Sequence, residues 1–505
     1  VFEVESEPTQ ARERRRSLAL DTDGSFISCE GGGPNAAGGS VFSAYVNAAN
    51  TILGAGTLAV PIAMSSAGLL SYELITVLVV AVNFTTVHWL TIVADHLPKG
   101  TPRNYEGIAR RYLGSAASHV ISLVFIFGGL SLGMSYMLFT AGSMAPVLAS
   151  YMASEGEEPE EKEVERLAQR LLWGVGLCVV LPLGMLRDIS KLKFTSSVAI
   201  IVLGYAAGFI VFCNVGALLE KPAAGEGFQL VNVSSDFFLS LAMTTSNFSC
   251  HVSAIPIYES LGSRGATSIR KVLLLALGTA ALLYQIVGLS SYLRFGHLES
   301  GGSNILEVVA ASISVGQSPV RFALVSLASA GVAFNLAFSM PMAMWALRSV
   351  ILSYYQAACA MQARRAGLPE VEVLEIENGE PSMLEWCMAT TLLMLSILTL
   401  ATLVPNIQVI MSLGGSLGGT FIAFMYPALF RLTVVKGVRS SRDLLQHKNA
   451  AELGVIAMSI VYGVLCLSIS IRKVVLEFQA AEPSVTATTS TLTLTTTALI
   501  YELEM

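Results

Sequence analysis

The sequence predicts an all-α protein that crosses a membrane eleven times, as two five-span halves of opposite orientation followed by one further span. Three observations carry this. The 505 residues are 53% hydrophobic and only 13% charged, with a mean hydropathy of +0.64, too apolar for a soluble chain. Stretches free of Asp, Glu, Lys and Arg recur at 41–72, 74–94, 112–154, 171–186, 194–219, 237–258, 272–293, 322–347, 386–430 and 453–471. Most reach the roughly 20 residues a bilayer requires, and 386–430 holds two spans parted at Pro405-Asn406. The third observation is that the first and sixth spans are interrupted at matching places.

Ahead of the first span, residues 1–40 are charged and then Gly-rich ("CEGGGPNAAGGS"), without the apolar core of a cleaved signal peptide. They read as a disordered cytoplasmic tail. The eleven-helix domain is expected over 41–473, with repeat one at about 41–219, repeat two at about 236–432 and the eleventh span at about 452–473. Orientation follows from the basic residues. With the N-terminus inside, 22 of the 30 Lys and Arg fall on the inner side and 8 on the outer. The acidic loop "EGEEPEEKEVE" (155–165) and the sequon at Asn232 then face outward, where glycosylation is expected, while sequons at Asn83 and Asn247 fall inside helices. The 356–385 connection reads as a cytoplasmic linker or short interfacial helix. The Thr-rich end, 474–505, reads as a flexible outward-facing tail.

Parity makes the two interruptions informative. Spans 1–5 begin inside and spans 6–10 begin outside, as an inverted repeat demands, and such folds place their site between broken helices at corresponding positions. In span 1, "NTILGAGTLAVP" (50–61) sets Gly54 and Gly56 around Ala55 and adds Pro61, which has no backbone donor. Span 6, "FFLSLAMTTSNFSCHVSAIPIYESL" (237–261), carries Thr244-Thr245-Ser246-Asn247 at mid-depth. Unwound backbone is tolerated there only where protein or a water-filled cavity satisfies it. Bared N–H groups at a half-helix start suit a carboxylate, and bared C=O groups suit a cation. Small residues and prolines also serve simple packing, but two interruptions in register favour a site.

Several function classes are excluded. A net charge of −6 and a pI near 5.7 argue against nucleic acid as a partner. Seven cysteines without paired spacing give neither a disulfide framework nor a zinc site. No P-loop and no intramembrane cluster of nucleophile, base or metal ligands is visible, so neither direct ATP coupling nor an enzyme is expected.

"NTILGAGTLAVPIAMSSAG" resembles the first helix of the amino acid/auxin permease superfamily, and "NFSCHVSAIPIYESL" is similar to the sixth helix of its sodium-coupled neutral amino acid transporter branch. Further matches are "VRFALVSLASAGVAFNLAFSMPMAMWALRSVI" (320–351) and "VPNIQVIMSLGGSLGGTFIAFMYPALF" (404–430), so the resemblance spans about 40–472. It implies an eleven-helix, 5+5 inverted-repeat fold of the LeuT/APC type that moves neutral amino acids by alternating access. By position, Leu53, Gly54, Ala55, Gly56 and Thr57 would take the substrate carboxylate, and Thr245, Ser246, Asn247 and Phe248 its amino group and side chain. Asn50, Thr51 and Ser339 would hold the coupling cation. The resemblance implies a rocking motion of the first-half core against spans 3, 4, 8 and 9. Two departures bear on the ion: no cysteine lies in 220–236 to make the branch's outer disulfide, and Pro61 is found in branches that use protons.

Oxygen-only donors suit a hard cation such as Na⁺. Glu73, Asp95, Asp236 and Glu259 lie at segment ends, so no carboxylate stands ready as a proton relay or as a partner for a cationic substrate. Glu259 reads as an inner-gate ion-pair partner. His251, one of two histidines placed deep within the charge-free stretches with His88, is the candidate for a proton or pH residue. The sequence reading is therefore a cation-coupled transporter of small neutral amino acids, monomeric, without cofactor or resident metal. The membrane is either the plasma membrane or a vacuolar or lysosomal one. Proton coupling, or an amino acid sensor on the same fold, is the alternative.

Overall fold

The computed structural model describes residues 40–54, 56–98, 101–153, 159–187, 193–221, 227–262, 265–298, 304–313, 318–438, 441–444 and 446–481. Ala55 and most of both expected tails lie outside this set. Every regular element described is helical.

Span 1 is two helices, α1 (Val41–Ile52) and α2 (Gly56–Ala67), bent by 52° at the interruption. Ser40 caps α1 by accepting from Ser43 N–H, and Pro61 is accommodated inside α2. Next come α3 (Leu69–His96), the short α4 (Tyr105–Tyr112), α5 (Ser115–Met152), α6 (Glu161–Gly184) and α7 (Lys193–Glu220). Span 6 is broken as span 1 is, into α8 (Ser235–Asn247) and α9 (His251–Ser260). The chain continues through α10 (Gly265–Phe295), the seven-residue α11 (Ile305–Ala311) and α12 (Pro319–Arg365). It ends with α13 (Glu370–Asn378), α14 (Met383–Leu403), α15 (Ile407–Val435) and α16 (Ala450–Ala481).

Among the described residues nine helices are long and apolar enough to cross a membrane, and the bent pair α1/α2 makes a tenth crossing when taken as one span. The charge-free stretches anticipated these helices. The parting of α14 from α15 falls at the expected Pro405-Asn406, where Asn406 accepts from Val409 N–H to start α15. In the 356–385 connection a short helix, one of the two expected forms, is present as α13, which folds back through Val373 and Ile376 on Ala360 and Ala363; the departure is that α12 itself runs on for 47 residues to Arg365. A sparse apolar stripe was enough to bury there, which the mixed charge of the segment concealed. The last helix likewise continues past residue 473 to Ala481.

Two apolar cores organise the bundle. The larger joins mainly α1–α3 and α7–α10. The smaller joins α5, α6, α12 and α14 through Met134, Met137, Leu172, Met344, Leu347 and Ile397. Between lipid-exposed helices apolar burial offers little discrimination, so close approach and side-chain-to-backbone hydrogen bonds fix the packing. Ser240 donates to Ala63 C=O at 2.7 Å, Ser131 to Ile410 C=O at 2.5 Å and Tyr462 to Gly415 C=O at 2.8 Å. At Gly415 a Cβ would collide with the Ala242 carbonyl, so only glycine lets α15 approach α8 this closely. Glu452, at the start of α16, is fully buried between Arg431 (2.8 Å) and Lys436 (2.7 Å).

The capping box of α11 yields a stability prediction. Glu307 N–H donates to Asn304 Oδ1 at 3.0 Å while Glu307 Oε2 accepts from Asn304 N–H at 3.3 Å. Burial against α5 pushes the Glu307 carboxyl up to about 7. An unfolded glutamate ionises near pH ~4.3. The stability this group contributes is thus fully present below the unfolded value and is lost as pH rises through about 7. Glu307→Gln should flatten the pH dependence of the thermal midpoint between about pH 5 and 8, by on the order of 2 kcal/mol. A variant with the parent's slope in detergent melts would show that Glu307 is solvated.

Candidate functional site

The two interruptions face one another across α10. At the end of α1, Leu53 N–H returns to Ala49 C=O at 2.7 Å and Gly54 N–H to Ile52 C=O at 2.8 Å, closing the helix. α2 starts at Gly56, and Thr57 N–H reaches Gly54 C=O at 3.3 Å. The remaining first-turn amides of α2 have no partner within their own helix. In span 6, Phe248 N–H closes on Thr244 C=O and Ser249 N–H on Ser246 C=O, both at 3.1 Å, before α9 resumes at His251. Both helices therefore stop where the glycine pair and the polar run said they would.

Gly56 is the point of closest approach. A Cβ there would stand 2.8 Å from Asn247 Oδ1 and 2.9 Å from the Tyr284 hydroxyl. Neither atom of the Asn247 amide has a hydrogen-bond partner although both are buried, and the neighbouring Thr57 hydroxyl is equally unmatched. An unpaired buried polar atom costs about 1–3 kcal/mol. Three of them stand beside the break, where they leave polar capacity for a ligand. Tyr284, on α10 and fully buried, donates its hydroxyl to Ile52 C=O at 2.7 Å and lies 3.4 Å from Asn247 C=O. Phe248 packs on the Tyr284 ring at 5.1 Å and 69°. Sequence reading missed Tyr284; the signal was a lone Tyr-Gln pair (284–285) inside an otherwise apolar span.

The other anticipated residues divide. Thr245 spends its hydroxyl on Leu241 C=O at 2.9 Å, within its own helix. Ser246 is half-buried. Ala55 lies outside the described residues. Leu53, Gly54 and Asn50 are half-buried, and Thr51 is exposed with its hydroxyl on Asn47 C=O at 2.9 Å. Ser339 donates to Asn335 at 3.4 Å, and no hydrogen bond joins it to Asn50 among the described residues. α1 packs instead on α10 and α9. All twelve residues of α2 are buried, whereas Leu53 and Gly54 on the α1 side of the break are half-buried. Gln408 and Asn232 donate to the Ser66 hydroxyl (2.6 Å) and carbonyl (3.0 Å). A glycan on Asn232 would take one of the two protons of that amide nitrogen and leave the other for Ser66 C=O.

His251 is fully buried with both ring nitrogens matched by hydroxyls, Nε2 to Thr86 at 2.8 Å and Nδ1 to Ser249 at 3.3 Å. The Thr86 proton is directed to Val82 C=O at 2.9 Å, so its oxygen accepts and the histidine donates from Nε2. This ties α9 to α3. His88 accepts from Arg270 at 3.0 Å near the helix end. Glu259 forms an ion pair with Arg103 at 2.5 Å, and the adjacent Tyr258 donates to Asp95, joining the end of α9 to the end of α3.

Comparison with known proteins bears on this geometry. Residues 37–472 match the family described as transmembrane amino acid transporter protein. Vacuolar amino acid transporter 5 of Schizosaccharomyces pombe is 27% identical over 86% of this chain and 94% of its own length. Sodium-coupled neutral amino acid transporter 7 of Xenopus laevis is 22% identical over 86% and 88%. Vacuolar amino acid transporter 6 of Saccharomyces cerevisiae is 22% identical over 82% and 92%. Among solved structures, MhsT in complex with L-phenylalanine superposes with a TM-score of 0.50 at 13% identity, covering 86% of this chain and 98% of MhsT, which shows a common fold. The chain belongs to the transmembrane amino acid transporter family.

Proposed function

We propose that the protein is a secondary active transporter that moves small neutral amino acids across a membrane by alternating access, coupled to a cation, with Na⁺ ahead of H⁺. The observation that carries this is the convergence of two helix breaks on the unmatched amide of Asn247 and hydroxyl of Thr57. In this reading the first amides of α2, with Gly54 and Gly56, receive the substrate carboxylate, and the run from Thr245 to Phe248 receives its ammonium group and side chain. Small size at Gly56 keeps the backbone within reach of the ligand.

Eleven spans in a 5+5 inverted repeat follow when α1/α2 and α8/α9 are each taken as one broken crossing, and the excess of Lys and Arg on one side puts the N-terminus in the cytoplasm. The described conformation is then open inward. Its α1 stands free of α12, which accounts for the separation of Asn50 and Thr51 from Ser339. Swinging α1 toward α12 would assemble the cation site while α2 opens outward, and the Arg103–Glu259 pair would act on the inner side. The full match of His251 by two hydroxyls supports a role in holding α9 to α3 over one in carrying protons. A relative named sodium-coupled supports Na⁺, and two named vacuolar support a vacuolar-type membrane.

Reconstituted into proteoliposomes, the protein should take up radiolabelled neutral amino acids saturably and faster under an inward Na⁺ gradient than under a pH gradient of equal size. Binding without gradient-driven uptake would point to a sensor, and a response to pH alone would move the coupling to H⁺. Gly56→Ala should lower uptake tenfold or more, about 1.4 kcal/mol or greater, with insertion retained; near-normal uptake would remove this backbone from the site. For Asn50→Ala the half-saturating Na⁺ concentration should rise about tenfold, equivalent to about 1.4 kcal/mol, and an unaltered Na⁺ response would delete Asn50 from the ion site.

A further inference from the structure

Resting on the reading of the two breaks as the transport site, the structure assigns Tyr284 as its positioning residue: the phenol stabilises the conformation in which α1 is open, by giving its single proton to the last turn of that helix. Ile52 C=O is among the final carbonyls of α1, which have no partner one turn ahead. It accepts from Gly54 N–H at 2.8 Å and from the Tyr284 hydroxyl at 2.7 Å. Asn247 C=O, from the other break, lies 3.4 Å from the same oxygen. One phenol has one proton to give, so the shorter contact takes the donation and the longer is the alternative acceptor.

Tyr284 cannot easily turn away. It is fully buried, Phe248 sits edge-on to its ring, and its hydroxyl fills the space beside Gly56. A second bond on the same helix pair, Tyr45 with Thr279 at 3.1 Å, joins α1 to α10 lower down. α10 therefore meets α1 at two levels, one in the body of the helix and one at the break. Moving α1 takes away the nearer acceptor and leaves the phenol only Asn247 C=O, 3.4 Å away, a longer and weaker bond for a buried donor. The tyrosine thus couples the angle of α1 to the break in span 6 without contacting substrate.

The test uses Asn47, exposed on α1, as a reporter in the full-length chain. In Asn47→Cys, the rate of maleimide labelling in membranes, corrected for native cysteines, follows how often α1 is open. Adding Tyr284→Phe keeps the ring and removes the hydroxyl. Labelling should slow three- to tenfold, and maximal uptake should fall by a similar factor with KM within twofold. Site-specific fluorotyrosine at 284, a stronger donor, should move labelling the other way, which keeps the test decisive if the Phe variant inserts poorly. Labelling that is unchanged or accelerated in Tyr284→Phe, or unmoved by fluorotyrosine, overturns the assignment. Absence of uptake by the parent chain would instead overturn the transporter reading, since labelling is measured without transport.

Discussion

The main chain is polar and the medium around this bundle is not. Every regular helix resolves that conflict internally, so a helix that stops at mid-depth must hand its last carbonyls and first amides to something else. In this protein the handing over is done by neighbouring side chains on one set of atoms and left undone on another. Ile52 C=O is taken by Tyr284. The Asn247 amide and Thr57 hydroxyl are left without partners. The first arrangement holds the break in place, and the second leaves polarity available to a ligand.

The rest of the architecture serves to keep those atoms where they are. Ser240 draws α8 against α2, Gly415 lets α8 lie close on α15, and Tyr462 ties α16 to α15. α5, α6, α12, α14 and the start of α15 share a second apolar cluster rich in Met, Leu and Ile, and α5, α12 and α15 also contribute to the larger core. Of the break-bearing helices, α1, α2 and α9 belong to the larger core. α9 is fixed to α3 at its start by His251 and near its end by Tyr258 and, through the neighbouring connection, Glu259. Asymmetric burial of the two halves of span 1 is the consequence: α2 is enclosed along its whole length, and α1 presents Asn47 and Thr51 to solvent.

Family membership and fold agree with this picture at their own level. Relatives whose names specify amino acid transport align over more than four fifths of the chain, and MhsT shares the helical arrangement at low identity. Such identities carry architecture farther than they carry side-chain selectivity, which depends on a few pocket atoms.

Much of the fold was determined by the sequence alone, because apolar length and absence of charge are local properties and the bilayer reads them span by span. The two breaks were legible for the same reason: Gly54 and Gly56, and the Thr-Thr-Ser-Asn run, oppose helix continuity wherever they occur. What only the tertiary structure decided are relations between distant residues. Tyr284 is one tyrosine among 15 until its hydroxyl is seen on Ile52. Among the described residues no hydrogen bond joins Asn50 to Ser339, which resemblance had matched, and the extension of α12 to Arg365 with α13 folded back on its apolar strip is a relation between two segments. Hydropathy records the preference of a residue for its medium, and it carries no record of which carbonyl a buried hydroxyl will meet.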